Sequence, residues 1–121
     1  MLMPKIMTVE DSAFERAAII SILKASKFND VIEAENGEEC LKKFEKEKPA
    51  IVLLDLRMPG ISGMDVLRQL KKKGKNVKVI VVSIVRKQES IDEALKLGAS
   101  AYITKPVTKE KLIPEIKKCL G

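Results

Sequence analysis

The chain has 121 residues, with 23 lysines and arginines against 17 aspartates and glutamates, and therefore a formal net charge of +6. This length suits one domain with a real hydrophobic core. Apolar residues make up 45% of the sequence but form no run of membrane-spanning length, which indicates a soluble globular protein. The chain contains no histidine, so serine–histidine catalysis, cysteine–histidine catalysis and histidine-ligated zinc are excluded.

The positive charge comes mostly from lysine, and sequence-specific nucleic-acid binding usually needs arginines or aromatic residues among clustered basic ones. The one dense basic run lies at a predicted helix end, where cations also suit the helix dipole: Lys71, Lys72, Lys73 and Lys75. We therefore expect a solvated surface there and no direct nucleic-acid partner.

The first residues, MLMPKIM, lack the long apolar stretch and the small-residue cleavage site of a secretory signal peptide. We therefore expect a cytoplasmic protein that does not bind membranes. Cys40 and Cys119 lie far apart in helical patterns, which is typical of packed free thiols rather than of a disulfide or a metal site.

The first strand–helix unit begins with an apolar run. Residues Lys5 to Val9 predict a strand that ends in Glu10 and Asp11. Ser12 and Glu15 then form a capping-box pattern at the start of a helix. The helix is predicted to continue to about Ser26 from residues that recur at helical spacing: Phe14, Ala17, Ala18, Ser21, Ile22 and Ala25.

The middle of the chain repeats this unit twice. A strand over Val31–Ala34 precedes a helix capped by Asn36 and Glu39. Four branched apolar residues, Ile51 to Leu54, predict a strand buried on both faces, with Asp55 directly after it. Ser62 and Gly63 begin a third helix that ends near Gly74. The inward residues of the two helices are predicted to be Cys40, Leu41, Phe44, Met64, Leu67 and Leu70.

The last third of the chain completes the pattern with two more units. Val77 to Val82 predicts a buried strand that ends at Ser83, and Ala101 to Thr104 predicts a short one that ends at Lys105. Gly98 occupies the position of a left-handed helix cap. The inward helix residues are predicted to be Ile91, Ala94 and Leu95 before this cap, and Leu112, Ile116 and Leu120 after Thr108. Pro114 predicts a kink in the last helix, or a distinct first turn.

Five strands that alternate with five helices predict an α/β fold, in which a parallel sheet is covered by helices on both faces. The carboxyl ends of parallel strands meet at one edge, so Glu10, Asp11, Asp55, Ser83 and Lys105 are expected to converge there. Three carboxylates at about 4 to 6 Å repel one another by several kcal/mol. Lys105 supplies one balancing charge, and an oxygen-only site favours a hard divalent ion such as Mg²⁺. The alternative is a set of separately solvated residues, with Asp55 only bonding the turn that follows it.

Four segments carry a resemblance to a known family: IMTVEDS, IVLLDLRMPGISG, VIVVS and YITKP. At these spacings they resemble the receiver domain of two-component response regulators, the CheY-like family. The resemblance covers Lys5 to Leu120 and implies that residues 1–121 are a single receiver domain. It also implies a five-stranded, doubly wound, flavodoxin-like sheet with the strand order 2-1-3-4-5.

The resemblance assigns a role to each residue at the predicted edge. It implies that Asp55 accepts a phosphoryl group from a sensor histidine kinase or a histidine phosphotransfer protein. It implies a Mg²⁺ site made of Asp11, Asp55, the main-chain carbonyl of Arg57 and, through a bound water, Glu10. Ser83 and Lys105 would bind phosphoryl oxygens, an arrangement that suits the charge that phosphoryl transfer spreads over them.

The resemblance also implies a switch, in which Ser83 moves inward, Tyr102 follows, and the surface of helix 4, strand 5 and helix 5 repacks for an unknown downstream protein. Catalysis would be confined to phosphorylation and dephosphorylation of the chain's own Asp55. The family pattern implies a cis peptide bond between Lys105 and Pro106. Val85 lies at a position that tunes hydrolysis and offers no polar group to orient water, so we expect slow autodephosphorylation.

Rival functions fit the residues less well. A phosphatase of the haloacid-dehalogenase type places a second aspartate two residues after the nucleophile, where this chain has Arg57. A flavin carrier needs a phosphate loop rich in glycine and hydroxyl groups, whereas the segment EDSAFER would repel phosphate. The remaining alternative is a pseudo-receiver, a protein-interaction module that phosphorylation does not regulate.

Overall fold

The computed structural model describes residues 3–121, in which five strands alternate with five helices. The strands are β1 (Ile6–Val9), β2 (Val31–Ala34), β3 (Ile51–Leu54), β4 (Lys78–Ser83) and β5 (Ala101–Thr104). The helices are α1 (Ala13–Ala25), α2 (Gly37–Glu47), α3 (Gly63–Lys73), α4 (Gln88–Lys96) and α5 (Lys109–Leu120). The predicted element order is confirmed, and β1 and β4 each begin one residue later than the sequence pattern indicated.

All strand pairs are parallel, and the strands lie in the order β2-β1-β3-β4-β5. The register brings the last residues of the three strands on one side of the sheet to the same level, since Val9 pairs with both Ala34 and Leu54. The predicted α/β class and strand order are confirmed. The loops that follow β1, β3, β4 and β5 therefore open at one edge, which we call the carboxyl edge.

The hydrophobic core consists of two layers, one on each face of the sheet. Alternation along the strands sends Met7, Val52 and Val79 to the layer beneath α2, α3 and α4, and Ile6, Ile51 and Ile80 to the layer beneath α1 and α5. Every residue of β3 is buried, as predicted for a strand covered on both faces. A central strand packed in this way holds the residue that follows it, Asp55, in a fixed position.

Two residues that were predicted to face inward, Leu95 and Leu120, are exposed, and so is Phe14, which belongs to the helical spacing that predicted α1. Phe14 in α1 is 85% exposed, Leu95 in α4 is 45% exposed and Leu120 in α5 is 46% exposed. Apolar residues lie on most sides of α1, so helical spacing alone selects no buried face. Ala94 is buried as predicted, Leu97 packs inward just after the end of α4, and Cys119 takes the inward position at the end of α5.

The rotation of α1 is set by a polar contact that its apolar pattern does not show. Arg16 is buried, and its guanidinium donates to the carbonyl of Glu10 at 2.7 Å and to Oε1 of Glu33 at 2.8 Å. With Arg16 turned inward, Ile19 and Leu23 follow on the same helix face and pack into the core.

The remaining local features are a glycine cap, two cysteines and a proline inside a helix. Gly98 has a φ of 112°, as expected for a cap residue outside the ordinary helical region, and Cys40 and Cys119 are both free thiols. Helix α5 continues through Pro114 over its whole span. Within residues 3–121, no helix has the length and apolar character needed to cross a membrane.

Candidate functional site

The carboxyl edge brings together the acidic residues that follow β1 and β3. The main-chain amide of Asp55 donates to the carbonyl of Val9 at 3.1 Å, which extends the strand pairing to the first loop residue. Glu10 is similarly fixed by a 3.0 Å bond from its amide to the carbonyl of Ala34. One carboxylate oxygen from each of Glu10, Asp11 and Asp55 lies within 4.8 Å of the others. The convergence expected from the parallel topology is therefore present.

Lys105, which follows β5, supplies the cation among these carboxylates. Its Nζ lies 2.6 Å from Oε1 of Glu10 and 3.0 Å from Oδ2 of Asp55. The amide of Lys105 donates to the carbonyl of Ser83 at 2.9 Å, which ties the start of the β5–α5 loop to the end of β4. The peptide bond between Lys105 and Pro106 is cis, as the family resemblance implied.

Main-chain amides bind the remaining oxygens of the two buried carboxylates. Oδ1 of Asp55 accepts a hydrogen bond from the amide of Arg57 at 3.0 Å, and Oε2 of Glu10 accepts one from the amide of Ser12 at 3.1 Å. Asp55 and Glu10 are buried, whereas Asp11 is exposed. The cluster therefore has two fixed, buried carboxylates and one carboxylate that faces solvent.

Burial is the main electrostatic influence on this cluster. It raises the pKa of Glu10 to about 7, because hydrogen bonds from Lys105 and from the amide of Ser12 offset only part of the cost of burying the charge, and the negative charge of Asp55 adds to that cost. Burial by itself would lower the pKa of Lys105, but its contacts with Glu10, Glu15 and Asp55 outweigh that effect and raise it. Lys105 is therefore a permanent cation, and Glu10 is a carboxylate that lacks full charge compensation.

The donor atoms at this edge suit a hard divalent cation. The three clustered side chains offer only carboxylate oxygens, which Mg²⁺ prefers. The softer ligands of the chain lie elsewhere: Cys40 is buried under the sheet, where burial raises the pKa of its thiol to about 12, and Cys119 packs in the layer beneath α5. The residues present therefore fit Mg²⁺ rather than a thiolate-bound metal.

Ser83 and Tyr102 both contact the loop that joins β4 to α4. Ser83 is fully buried, and its Oγ accepts a hydrogen bond from the amide of Val85 at 3.1 Å. Tyr102 is half-buried, and its hydroxyl donates to the carbonyl of Val85 at 2.6 Å. The two predicted switch residues are therefore joined through the backbone of one residue of this loop, Val85.

Sequence reasoning missed two residues that contribute to the site. Glu15 was interpreted only as a helix cap residue, but its Oε1 lies 2.9 Å from Nζ of Lys105. Arg16 was not considered, although it holds the main-chain carbonyl of Glu10. The signal that could have found both is their place in the first turns of a helix that begins at the acidic edge, because such residues face the same edge.

The β2-β1-β3-β4-β5 sheet, the acidic cluster at its carboxyl edge and the contact of Lys105 with that cluster are together typical of a receiver domain. The family model for the response regulator receiver domain matches residues 6–117. The chain therefore belongs to the receiver-domain family of two-component response regulators.

Particular relatives match over nearly the whole chain. The chemotaxis protein CheY of Listeria monocytogenes is 39% identical over 116 residues, which cover 96% of this chain and 98% of that protein. A CheY-like receiver domain protein from Methanospirillum hungatei has a TM-score of 0.92 at 29% identity, covering 98% of this chain and 94% of that one. CheY in a complex with CheX, BeF3 and Mg²⁺ from Borrelia burgdorferi has a TM-score of 0.92 at 28% identity, covering 97% and 89%.

Proposed function

We propose that residues 1–121 form one receiver domain that accepts a phosphoryl group on Asp55 in a Mg²⁺-dependent reaction. The observation that carries this proposal is the ion-paired cluster in which Lys105 contacts both Glu10 and Asp55 beside the carboxylate of Asp11. A buried nucleophilic carboxylate, a permanent cation and an oxygen-only metal site together are what phosphoryl transfer to an aspartate requires.

The reaction is a displacement at phosphorus. A carboxylate oxygen of Asp55 forms a new P–O bond while the P–N bond of a phosphohistidine breaks, and the imidazole leaves with the bonding electron pair. With acetyl phosphate as donor, a P–O bond breaks instead and acetate leaves. The product in both cases is an acyl phosphate on Asp55, and no oxidant or reductant takes part.

The metal site would be formed by Asp11, Asp55 and the main-chain carbonyl of Arg57, with Glu10 acting through a bound water. Bound Mg²⁺ would neutralise negative charge on the phosphoryl oxygens. Lys105 would bind a second phosphoryl oxygen, and it already lies 3.0 Å from Oδ2 of Asp55. The Borrelia relative, which is crystallised with BeF3 and Mg²⁺, supports this assignment by analogy.

The readout would be a repacking of the face formed by α4, β5 and α5. Ser83 would turn toward the phosphoryl group and give up its bond to the amide of Val85, and Tyr102, which bonds the carbonyl of Val85, would respond through the same loop.

The downstream target would be a protein that binds near Ile91, Tyr102, Lys109 and Lys111, and the phosphodonor would be a sensor histidine kinase or a histidine phosphotransfer protein. The proposal includes a cytoplasmic location, where the ATP that such kinases use is found.

The test is intact mass after incubation with acetyl phosphate, with and without Mg²⁺, on wild type and Asp55→Asn. The expected result is one added phosphoryl group that requires both Mg²⁺ and Asp55. Asp65→Asn, which changes an exposed aspartate at the start of α3, is the matched control and should be phosphorylated normally. A wild type that gains no mass under any condition would overturn the proposal in favour of a pseudo-receiver.

A further inference from the structure

Lys105 has a third carboxylate partner outside the set that defines the proposed site. Oε1 of Glu15, from the first turn of α1, lies 2.9 Å from Nζ of Lys105. We propose that Glu15 is a positioning residue that restrains Lys105 and thereby weakens the binding of a phosphoryl group at Asp55, an inference that rests on the proposed function.

The ammonium group of Lys105 can donate only a limited number of hydrogen bonds. An ammonium group has three N–H bonds. Three carboxylate oxygens surround Nζ of Lys105, at 2.6 Å from Glu10, 2.9 Å from Glu15 and 3.0 Å from Asp55. A phosphoryl oxygen can therefore bind this ammonium only if one of the three carboxylates gives up its place.

The three carboxylates differ in how easily each can leave Lys105. The side chain of Glu10 is only 2% exposed, so water cannot replace the lysine as its partner. Asp55 carries the phosphoryl group itself, so it stays beside Lys105 when the phosphoryl oxygen binds there. The side chain of Glu15 is 45% exposed, so water can replace the lysine as its partner. Glu15 and Lys105 also line a pocket of about 190 Å³ between α1 and the β5–α5 loop, which gives the released carboxylate space to turn into.

Release of Glu15 from Lys105 makes phosphoryl binding less favourable. When a phosphoryl oxygen replaces the Glu15 carboxylate as the partner of Lys105, the Glu15–Lys105 ion pair is lost. The released carboxylate still repels the negative charge of the phosphoryl group. Both effects oppose phosphorylation and neither is needed to fold the chain, because the backbone amide of Glu15, not its side chain, makes the cap bond to Ser12. Glu15 would therefore set the strength of the switch without touching phosphorus.

Glu15→Gln and Glu15→Asp separate the charge of Glu15 from its contact with Lys105. Glutamine keeps the length of the side chain and removes its charge, whereas aspartate keeps the charge but is one carbon shorter and loses the contact with Lys105. The control is Glu45→Gln, which removes a carboxylate from another exposed glutamate–lysine pair, with Lys73 at the other end of the sheet. The measurements are the rate of phosphorylation by acetyl phosphate and the dissociation constant of beryllofluoride, a tetrahedral stand-in for the phosphoryl group, both at saturating Mg²⁺.

We expect Glu15→Gln to bind beryllofluoride about two- to fivefold more tightly than wild type, the range typical of a partly exposed ion pair, and to be phosphorylated faster by a similar factor. Glu15→Asp should show most of this gain, and Glu45→Gln should show none. Unchanged thermal unfolding would place the effect in the site rather than in stability.

Three results would overturn the proposal. Glu15→Gln could match wild type, it could be phosphorylated more slowly, or Glu15→Asp could behave as wild type, which would mean that charge alone acts and the contact does not. Failure of the proposed function would look different, since wild type itself would then neither bind beryllofluoride nor gain a phosphoryl group.

Discussion

The two edges of the sheet contain the same kind of ion pair in opposite surroundings. At the carboxyl edge, Lys105 is 9% exposed and contacts carboxylates that are almost fully buried. At the amino edge, Lys5 and Glu47 pair at 3.1 Å with side chains 34% and 35% exposed. The lysine–carboxylate chemistry is identical, so any difference in what the pairs do must come from burial.

The difference follows from how the helices are oriented. The helices begin at the carboxyl edge with acidic residues in their first turns and end at the amino edge with lysines in their last turns, which suits the helix dipoles at both ends. At the carboxyl edge, the side chains of Glu10, Asp55 and Lys105 are almost fully buried. Replacing a solvated charge at the amino edge should change the free energy of unfolding little. A buried carboxylate at the carboxyl edge, by contrast, must be balanced by a lysine, a proton or a metal ion.

The largest expected effect is that of removing the buried cation. Lys105→Met leaves Glu10 and Asp55 buried without their shared partner, and should lower the free energy of unfolding in the absence of Mg²⁺ by about 3 kcal/mol. Lys5→Met, at the exposed pair, should lower it by only about 0.5 kcal/mol. Urea unfolding in EDTA measures both. If the two variants lost the same free energy of unfolding, burial would not explain the difference between the two edges.

The second effect is a pH dependence of stability that arises from Glu10. Because burial raises its pKa from 4.5 to about 7, the folded protein binds this proton more tightly than the unfolded chain within that window. Stability should therefore fall as pH rises from 4.5 to 7, by about 2 kcal/mol in EDTA. Urea unfolding across the window should show this slope in wild type and lose it in Glu10→Gln. Glu47→Gln, which changes the exposed pair, should keep it, and a wild type whose stability rose with pH would contradict the assignment.

The third effect is stabilisation by the metal. A cation that binds only the folded state at about tenfold above its dissociation constant raises the free energy of unfolding by about 1.4 kcal/mol. We expect this gain from Mg²⁺ in wild type and its loss in Asp11→Asn, with Asp65→Asn as a control that retains it. Thermal unfolding in Mg²⁺ and in EDTA measures the gain. An equal Mg²⁺ shift in Asp11→Asn would remove Asp11 from the metal site.

The sequence predicted the carboxyl edge well because that prediction needs only strand order and direction. Uninterrupted apolar runs such as Ile51–Leu54 identify buried strands, and parallel pairing then brings Asp55 and Lys105 to the same edge whatever the side-chain details. An error of one residue in the predicted start of a strand, as at β1 and β4, does not change the edge at which these residues meet.

The sequence predicted helix rotation poorly, and the contact of Glu15 with Lys105 depends on that rotation. Phe14 belongs to the helical spacing that predicted α1, but it faces solvent, because the contact between Arg16 and the carbonyl of Glu10 sets the rotation of the helix. The same rotation brings Glu15 to Lys105. A polar contact of this kind leaves no periodic signal in the sequence, so the rotation of α1 could not be predicted from its apolar pattern. The only available signal was that Glu15 and Arg16 lie at the start of a helix that begins at the acidic edge.

The smallest effect concerns the lifetime of the acyl phosphate. Val85 bonds Ser83 and Tyr102 only through its backbone atoms, so a substitution there changes the side chain without removing either partner. Val85→Glu should shorten the lifetime about fivefold, a change below the 1.36 kcal/mol that corresponds to tenfold, because a carboxylate can orient the attacking water. Val85→Leu, which also offers no polar atom, should leave the lifetime unchanged. Loss of the phosphoryl group followed by mass measures it, and a wild-type lifetime of seconds would show that water is oriented well without a polar group at this position.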